Sequence, residues 1–271
     1  MSSLALKEWR RYSANVEVFV ENKDFTVKTV TSWREWYNVL KFRKDVFLSE
    51  YGAAGLSLPF SIDLDRFDWK CDQLVVTSKT TQEIVGCYRI MCTLFQDKFY
   101  SETEFDIDHV KRMPGTKVEL GRACVHPDYR NGAVIQLLWR GIADYIKQVK
   151  ADYAFGCTSV KSTSPAVARK FELYLQEKEA STTWPYVAPL SPYRFRESER
   201  REQSRILLLE EMDRGEVLKI APPLLKFYLR LGAKFCGPAA IDRKFNCLDF
   251  FTLFDFTNLS RQMKAKYNLE T

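Results

Sequence analysis

Val118-Glu119-Leu120-Gly121-Arg122-Ala123-Cys124-Val125-His126-Pro127-Asp128-Tyr129-Arg130-Asn131-Gly132-Ala133 is the stretch on which the reading of this 271-residue chain turns. Its first half alternates. Val118 and Leu120, then Ala123 and Val125, are apolar among polar neighbours, as in a half-buried strand. His126-Pro127-Asp128 ends the pattern, because proline has no ladder donor, and Asn131-Gly132 punctuates the chain. From there Val134, Leu137, Leu138, Ile142, Tyr145 and Ile146 fall at helical spacing and predict a helix to about Lys150. A strand therefore delivers Glu119 and Arg122 to its end, and a loop feeds a helix start. The free N–H groups and positive dipole end of a helix start form an anion site.

The rest of the composition describes a folded protein. Hydrophobic residues make up 46% and aromatics 14%, too apolar for a disordered chain. The length fits one large domain with extensions. We expect an N-terminal extension over 1–30, a main domain over 31–256 carrying a basic, aromatic insertion at 180–205, and a tail at 257–271. The net charge of +6 suits an acidic partner, such as a carrier protein or a phospholipid surface. No finger, helix-turn-helix or aromatic RNA-binding signature points to nucleic acid.

Seven cysteines (Cys71, Cys87, Cys92, Cys124, Cys157, Cys236, Cys247) include no C-x-x-C pair. With no signal peptide at the N-terminus, they predict free thiols in a cytoplasmic protein. The two histidines, His109 and His126, make no metal-ligand cluster, so no metal is expected. No run of about 18 apolar residues occurs, which excludes a membrane-spanning helix. Contact with the surface of the inner membrane stays open.

Taken in order, residues 25–30 alternate like a strand, and Thr31-Ser32 can cap a helix. Trp33, Trp36, Tyr37, Leu40, Phe42, Val46 and Phe47 give that helix an aromatic face, with Arg43 and Glu50 beside it. Asp63, Asp65 and Asp68 put three carboxylates in six residues, the usual mark of a solvated loop. Residues 72–77 and 83–94 read as paired strands joined by a polar turn. Arg89 lies within the second and demands a carboxylate partner: Asp65, Asp68 or Glu119. Residues 153–159 form a further strand, and Ser164-Pro165 starts an amphipathic helix. Between 182 and 205, Trp184, Tyr186, Tyr193 and Phe195 interleave with Arg194, Arg196, Arg200, Arg201 and Arg205. That pattern suits a linker with a solvated helix, or a docking face for an acidic carrier or lipid headgroups. Pro222-Pro223 opens a helix that Gly232 stops, and 250–254 is the last strand.

These motifs together resemble the GNAT superfamily of N-acyltransferases. Within it they are similar to the ornithine-lipid N-acyltransferase branch, which is related to the autoinducer (acyl-homoserine lactone) synthases. The likeness rests on Arg43 with Val46-Phe47, the acidic segment 63–68, Gly86-Cys87-Tyr88-Arg89, Glu119-Leu120-Gly121-Arg122, and a C-terminal series. That series is Pro222-Pro223-Leu224-Leu225-Lys226, Leu231-Gly232-Ala233, Asp242 and Phe245-Asn246. The series is absent from the shorter lactone synthases, and the resemblance as a whole covers roughly 31–255. Residues 99–106 also follow the ornithine-lipid branch, where a lid-like loop is implied.

The resemblance implies an α/β fold with a mixed, mostly antiparallel twisted sheet flanked by helices. It also implies transfer of a 3-hydroxyacyl chain to the α-amino group of ornithine, giving lyso-ornithine lipid. In that scheme Glu119 is the base or orients the amine, and a bulge in the central strand frees amides near Ala123 and Val125 for the oxyanion. Without the bulge, Glu119 and Arg122 would face opposite sides of the strand. Arg43, Phe47, Asp63, Asp65, Asp68, Arg89 and Arg122 shape the acceptor pocket, the carboxylates answering a cationic amine. Val125, Arg130, Asn131, Gly132 and Ala133 hold the phosphopantetheine of the donor.

The usual loop, Arg-x-x-Gly-x-Gly or Ala, has Ala133 and Ile135 here at the glycine positions. Side chains there crowd a pyrophosphate and favour acyl carrier protein, with its single phosphate, over coenzyme A. Acyl carrier protein is thus the expected co-substrate, with no permanently bound cofactor. Cys124 is available as a nucleophile, but direct attack by an amine needs none. Three rivals remain: another acceptor such as glycine, lysine or tyrosine, a lactone synthase, and a non-catalytic acyl-carrier or lipid-binding module.

Overall fold

The computed structural model describes residues 12–51, 62–204 and 214–258. The elements run β1 (Phe19–Glu21), β2 (Phe25–Thr29), α1 (Trp33–Tyr51), β3 (Asp72–Ser78), β4 (Ile84–Cys92), β5 (Phe105–Asp106) and α2 (Asp108–Arg112). They continue β6 (Thr116–Val125), α3 (Ala133–Val149), β7 (Ala151–Val160), α4 (Pro165–Glu177), β8 (Ser181–Thr182), β9 (Ala188–Pro189) and α5 (Glu197–Ser204). Last come α6 (Arg214–Ile220), α7 (Pro223–Arg230), β10 (Lys234–Cys236), β11 (Ala240–Asp242) and β12 (Cys247–Asp255). The class is the expected α/β, with mostly antiparallel strands flanked by helices. Two compact units emerge: Met1–Asp97 with Thr116–Asp152 and Thr257–Thr271, and Lys98–Gly115 with Tyr153–Phe256.

In the first unit β1, β2, β3, β4 and β6 pair in that order, every pair antiparallel. The two faces follow from register. Leu74 lies opposite Tyr88 and Val76 opposite Gly86 on one face, whereas Val75, Cys87 and Cys124 line the other. Helix α3 takes the first face at close range. A Cβ on Gly86 would lie 2.6 Å from Val134 Cγ1, and one on Gly141 would lie 2.9 Å from Val27 Cγ1. Helix α1 takes the second face, packing Trp36, Val39, Leu40 and Val46 with Val75, Cys87 and Cys124. The chain before residue 30, expected as an extension, is built into this unit where described. β1 and β2 belong to its sheet, and Asn15 donates its backbone N–H to Asp72 at 2.7 Å.

In the second unit β7 and β12 pair antiparallel along eight residues, from Leu248 opposite Val160 to Asp255 opposite Tyr153. β12 also pairs antiparallel with β10 and β11, and β10 runs parallel to β8. Phe155 stacks on Phe251 at 5.7 Å between centroids, and Phe171 of α4 meets Phe250. Residues 99–106 are no lid. Phe99, Ser101, Glu104 and Phe105 are buried, and β5 pairs with β9. Burying two phenylalanines fixes this segment as core. In the expected insertion Trp184 and Tyr186 are exposed, edge-on to His109, and Arg205 lies outside the described residues. No helix among the described residues is long and apolar enough to cross a membrane.

Gly86→Ala places a methyl against the β-branched Val134, whose stiff χ1 gives little room. The change should lower stability by about 1–3 kcal/mol, read as the shift in urea midpoint with an unchanged slope.

Candidate active site

Arg43 is fully buried on the sheet-facing side of α1, which an isolated guanidinium cannot tolerate. The acidic segment meets it. Nη1 donates to Asp68 Oδ1 at 2.6 Å and Nε to Asp63 Oδ2 at 2.8 Å. Arg89, projecting from β4 on the same face, donates Nη1 to Asp65 Oδ2 at 2.7 Å and lies 3.4 Å from Asp68 Oδ1. Arg122 of β6 reaches the same Asp65 oxygen at 3.0 Å, with Nε 3.4 Å from Asp63. Three arginines thus interlock with three aspartates. Asp68 also accepts from Gln73 Nε2 at 3.0 Å and from the Asp65 amide at 2.8 Å.

The electrostatics follow. Burial alone would raise Asp63 and Asp68, but Arg43 above all holds both carboxyls below the ordinary range. Arg122 assists at Asp63 and Arg89 at Asp68. Burial likewise works against charge on Arg43, and Asp68 and Asp63 more than offset it. With charges matched one to one, the acidic segment carries no excess negative charge. It is a neutral floor, not the negative pocket that carboxylates alone would make.

Among the described residues, one edge of this floor meets solvent. The side chains of Arg43 and Arg89 are 0% and 1% exposed, whereas Asp65 is 23% and Arg122 14% exposed. Arg43 and Arg89 therefore position others, and Arg122 with Asp65 and Asp63 can touch a substrate. Phe47 flanks that edge, with Arg122 Cζ 5.8 Å from its ring centroid.

What turns Arg122 toward this edge is the bulge. Arg89 lies opposite Gly121 and Cys87 opposite Cys124, so Arg122 and Ala123 on β6 face the single residue Tyr88. Arg122 takes φ +51°, a left-handed conformation uncommon for a residue with a side chain. Glu119, opposite Met91 and two residues from Gly121, lies on the face of Arg89 and is buried. The bulge thereby puts Glu119 and Arg122 on one face, although they are three apart. It also leaves Gly121, Arg122 and Ala123 half-buried between the buried Leu120 and Cys124.

Past Val125 the chain makes one tight turn at Pro127–Tyr129 and enters α3 through Gly132, at φ +93°. Arg130 folds back on this loop. Its Nε and Nη2 donate to the Val125 carbonyl at 3.1 and 3.0 Å, and Nη2 also binds Glu50. Asn131 Oδ1 accepts the Ala133 amide at 3.0 Å, while the other first-turn amides have no intrahelical partner. The residues expected to hold the donor therefore form one contiguous turn that opens α3. Cys124 is buried, and burial followed by Cys87 pushes its thiol well up, unlike an activated nucleophile.

Sequence reasoning missed Gln73, Trp36 and Phe67. Trp36 Nε1 donates to the Asp68 carbonyl at 3.2 Å, and Arg89 Cζ lies 5.6 Å from the Phe67 centroid. Gln73, polar inside an apolar strand, carried a readable signal; the aromatics read as ordinary core.

This is an acyl-transfer scaffold, and the comparisons agree. Residues 42–140 match an acetyltransferase (GNAT) domain, and the chain is an acyltransferase. It is 32% identical over 238 residues to an L-ornithine N(alpha)-acyltransferase of Rhodobacter capsulatus, covering 84% of this chain and 88% of that protein. It is 33% identical to the protein of that name from Brucella abortus, covering 85% and 83%. The chain belongs to the L-ornithine N(alpha)-acyltransferase family. Among solved structures, a CoA-dependent acyl-homoserine lactone synthase aligns at 13% identity and a TM-score of 0.47 over 88% of this chain and 90% of its own. A likeness at that level carries no functional conclusion.

Asp68→Ala leaves two buried arginines short of a partner and should cost about 3–5 kcal/mol in urea unfolding. The pH sign follows from the depressed values of Asp63 and Asp68. Their stabilisation is full above the ordinary value of 3.8 and is lost as pH falls through their lower folded values. Urea midpoints should therefore drop steeply below about pH 4.

Proposed function

We propose that this chain moves a 3-hydroxyacyl group from acyl carrier protein to the α-amino group of ornithine, giving lyso-ornithine lipid. The observation that carries the reading is the bulge at Arg122 and Ala123, beside buried Glu119, in a member of this family. Two chemical demands meet there. The ammonium of the acceptor must lose a proton before it can attack, and the thioester carbonyl then becomes an oxyanion. Glu119, directly or through a water, takes the proton or orients the amine. Amides released by the bulge near Ala123 and Val125 hold the oxyanion. The C–N bond forms, the C–S bond breaks, and the pantetheine thiolate leaves and takes up a proton.

Arg122 suits the acceptor carboxylate, and Asp65 and Asp63 the ammonium, because these members of the cluster keep solvent exposure. Arg43 and Arg89 hold those three in place. On the donor side, Arg130 exchanges Glu50 for the pantetheine phosphate at the start of α3. Ala133 and Ile135 support a carrier-protein donor, since their side chains take up space that a pyrophosphate needs. The net positive charge fits an acidic carrier, and the product, an amphiphile, has to pass to a membrane surface.

The test is the lipid extract of a host that makes no ornithine-containing lipid. Expression of the chain should yield an N-(3-hydroxyacyl) ornithine by mass spectrometry. Glu119→Gln should reduce its rate of formation by about 10²–10⁴-fold at unchanged protein level. An extract without any acylated amino acid would overturn the reading.

A further inference from the structure

The second unit buries a set of acids that the acyl-transfer scheme does not use. β11 and β12 form a hairpin in which Asp242 lies opposite Cys247 and Ala240 opposite Asp249. That register puts Asp242, Cys247 and Asp249 on one face. Their ligand atoms all lie within 4.8 Å of one another, and all three residues are buried. Cys247 Sγ stands 3.4 Å from Asp249 Oδ2. Two ligands of a tetrahedral ion, at about 2.3 Å for sulfur and about 2.0 Å for oxygen, stand about 3.5 Å apart.

A fourth acid is buried in the same unit. Glu104, at the entry to β5, is 2% exposed. Its carboxyl is hydrogen-bonded by Tyr100 and Cys157, yet Oε2 has no hydrogen-bond partner among the described residues. The charges of Asp249 and Asp242 reach this carboxyl. The basic residues of the hairpin are engaged elsewhere: Arg243 binds Glu199 at 2.8 Å, and Lys244 Nζ lies 5.7 Å from the Phe245 ring centroid. Asp242 and Asp249 are buried carboxylates held within 4.8 Å of each other, which is costly unless something positive joins them.

We propose that Asp242, Cys247, Asp249 and Glu104 form a structural site for one divalent metal ion of the zinc class. The donor set decides the class. Carboxylates alone would suit magnesium or calcium, whereas a thiol among them selects a borderline ion. An organic ammonium would find no use for the sulfur. The second coordination layer is in place as well: Ser159 Oγ donates to Asp249 Oδ1 at 2.5 Å, and the Lys244 and Phe245 amides donate to Asp242 Oδ1 at 2.8 and 3.0 Å. On binding, the ion displaces the Cys247 thiol proton and leaves a metal–thiolate bond. It ties the β11–β12 hairpin to the segment before β5.

The experiment uses the full chain, stripped with chelator and titrated with Zn²⁺ or Co²⁺ alone. We expect tight uptake of about one equivalent, a thiolate-to-cobalt absorption band, and a higher melting temperature with metal. Cys247→Ser should abolish the band. Asp249→Asn and Glu104→Gln should weaken uptake on the order of 100-fold, with circular dichroism confirming that each is folded. The exposed Asp106→Asn is the control and should bind as the parent does. Folded parent protein that takes up no metal would overturn the proposal. So would equal uptake by folded Cys247→Ser, or a metal-free Glu104→Gln as stable as the metal-loaded parent, since shared protons would then explain the cluster.

Discussion

The structure of the first unit depends on one ionic contact, the guanidinium of Arg43 on the carboxylate of Asp68, with both side chains at 0% exposure. Neither charge could be buried alone. Each justifies the other, and the pair then recruits Arg89 from the sheet and Asp63 from the same acidic segment. Helix α1, the segment before β3, and strand β4 are thereby fixed to one another by directional bonds as well as by apolar packing. Replacing the set with hydrophobic residues would often be neutral for stability. What the charges supply that hydrophobic residues would not is a defined position for Asp65 and Arg122 at the solvent edge.

That edge is also where the backbone departs from regularity. Arg122 adopts a left-handed φ of +51° inside a strand, which costs of order 1 kcal/mol or more and persists only where surroundings over-determine it. Two carboxylates and the Phe47 ring supply that determination. The local strain does three things at once. It turns Arg122 onto the face of Glu119, interrupts the regular pairing with β4, and leads the chain toward the turn that opens α3. The tight seat of α3, set by Gly86 and Gly141 against Val134, Val27 and Leu74, then fixes the anion-facing helix start.

Much of this was legible in the sequence. Strand β6, helix α3 and the loop between them follow from a change of apolar period at His126 and Pro127. Arg89 announced its need for a carboxylate because an arginine in an apolar strand is untenable alone, and Asp65 and Asp68 answer it. The net neutrality of the acidic segment was not legible, since its partners come from residues 43, 89 and 122. Residues 99–106 read as a loop because their burial comes from β9 and from Phe155, far away in sequence. The acids at 104, 242 and 249 escaped for the same reason: spacing of histidines and C-x-x-C pairs reveals local metal sites, not one assembled by a hairpin and a distant segment.

The proposed function places acyl transfer to an amine at the bulge of β6. Its most direct test is a purified-protein assay with ornithine, 3-hydroxyacyl carrier protein or the matching acyl-CoA, followed by mass spectrometry of the product and its amide position. The account predicts an α-N-acylated ornithine formed from the carrier-protein thioester, with acyl-CoA a far poorer donor. Acylation of the side-chain amine, or no amide from either donor, would contradict it.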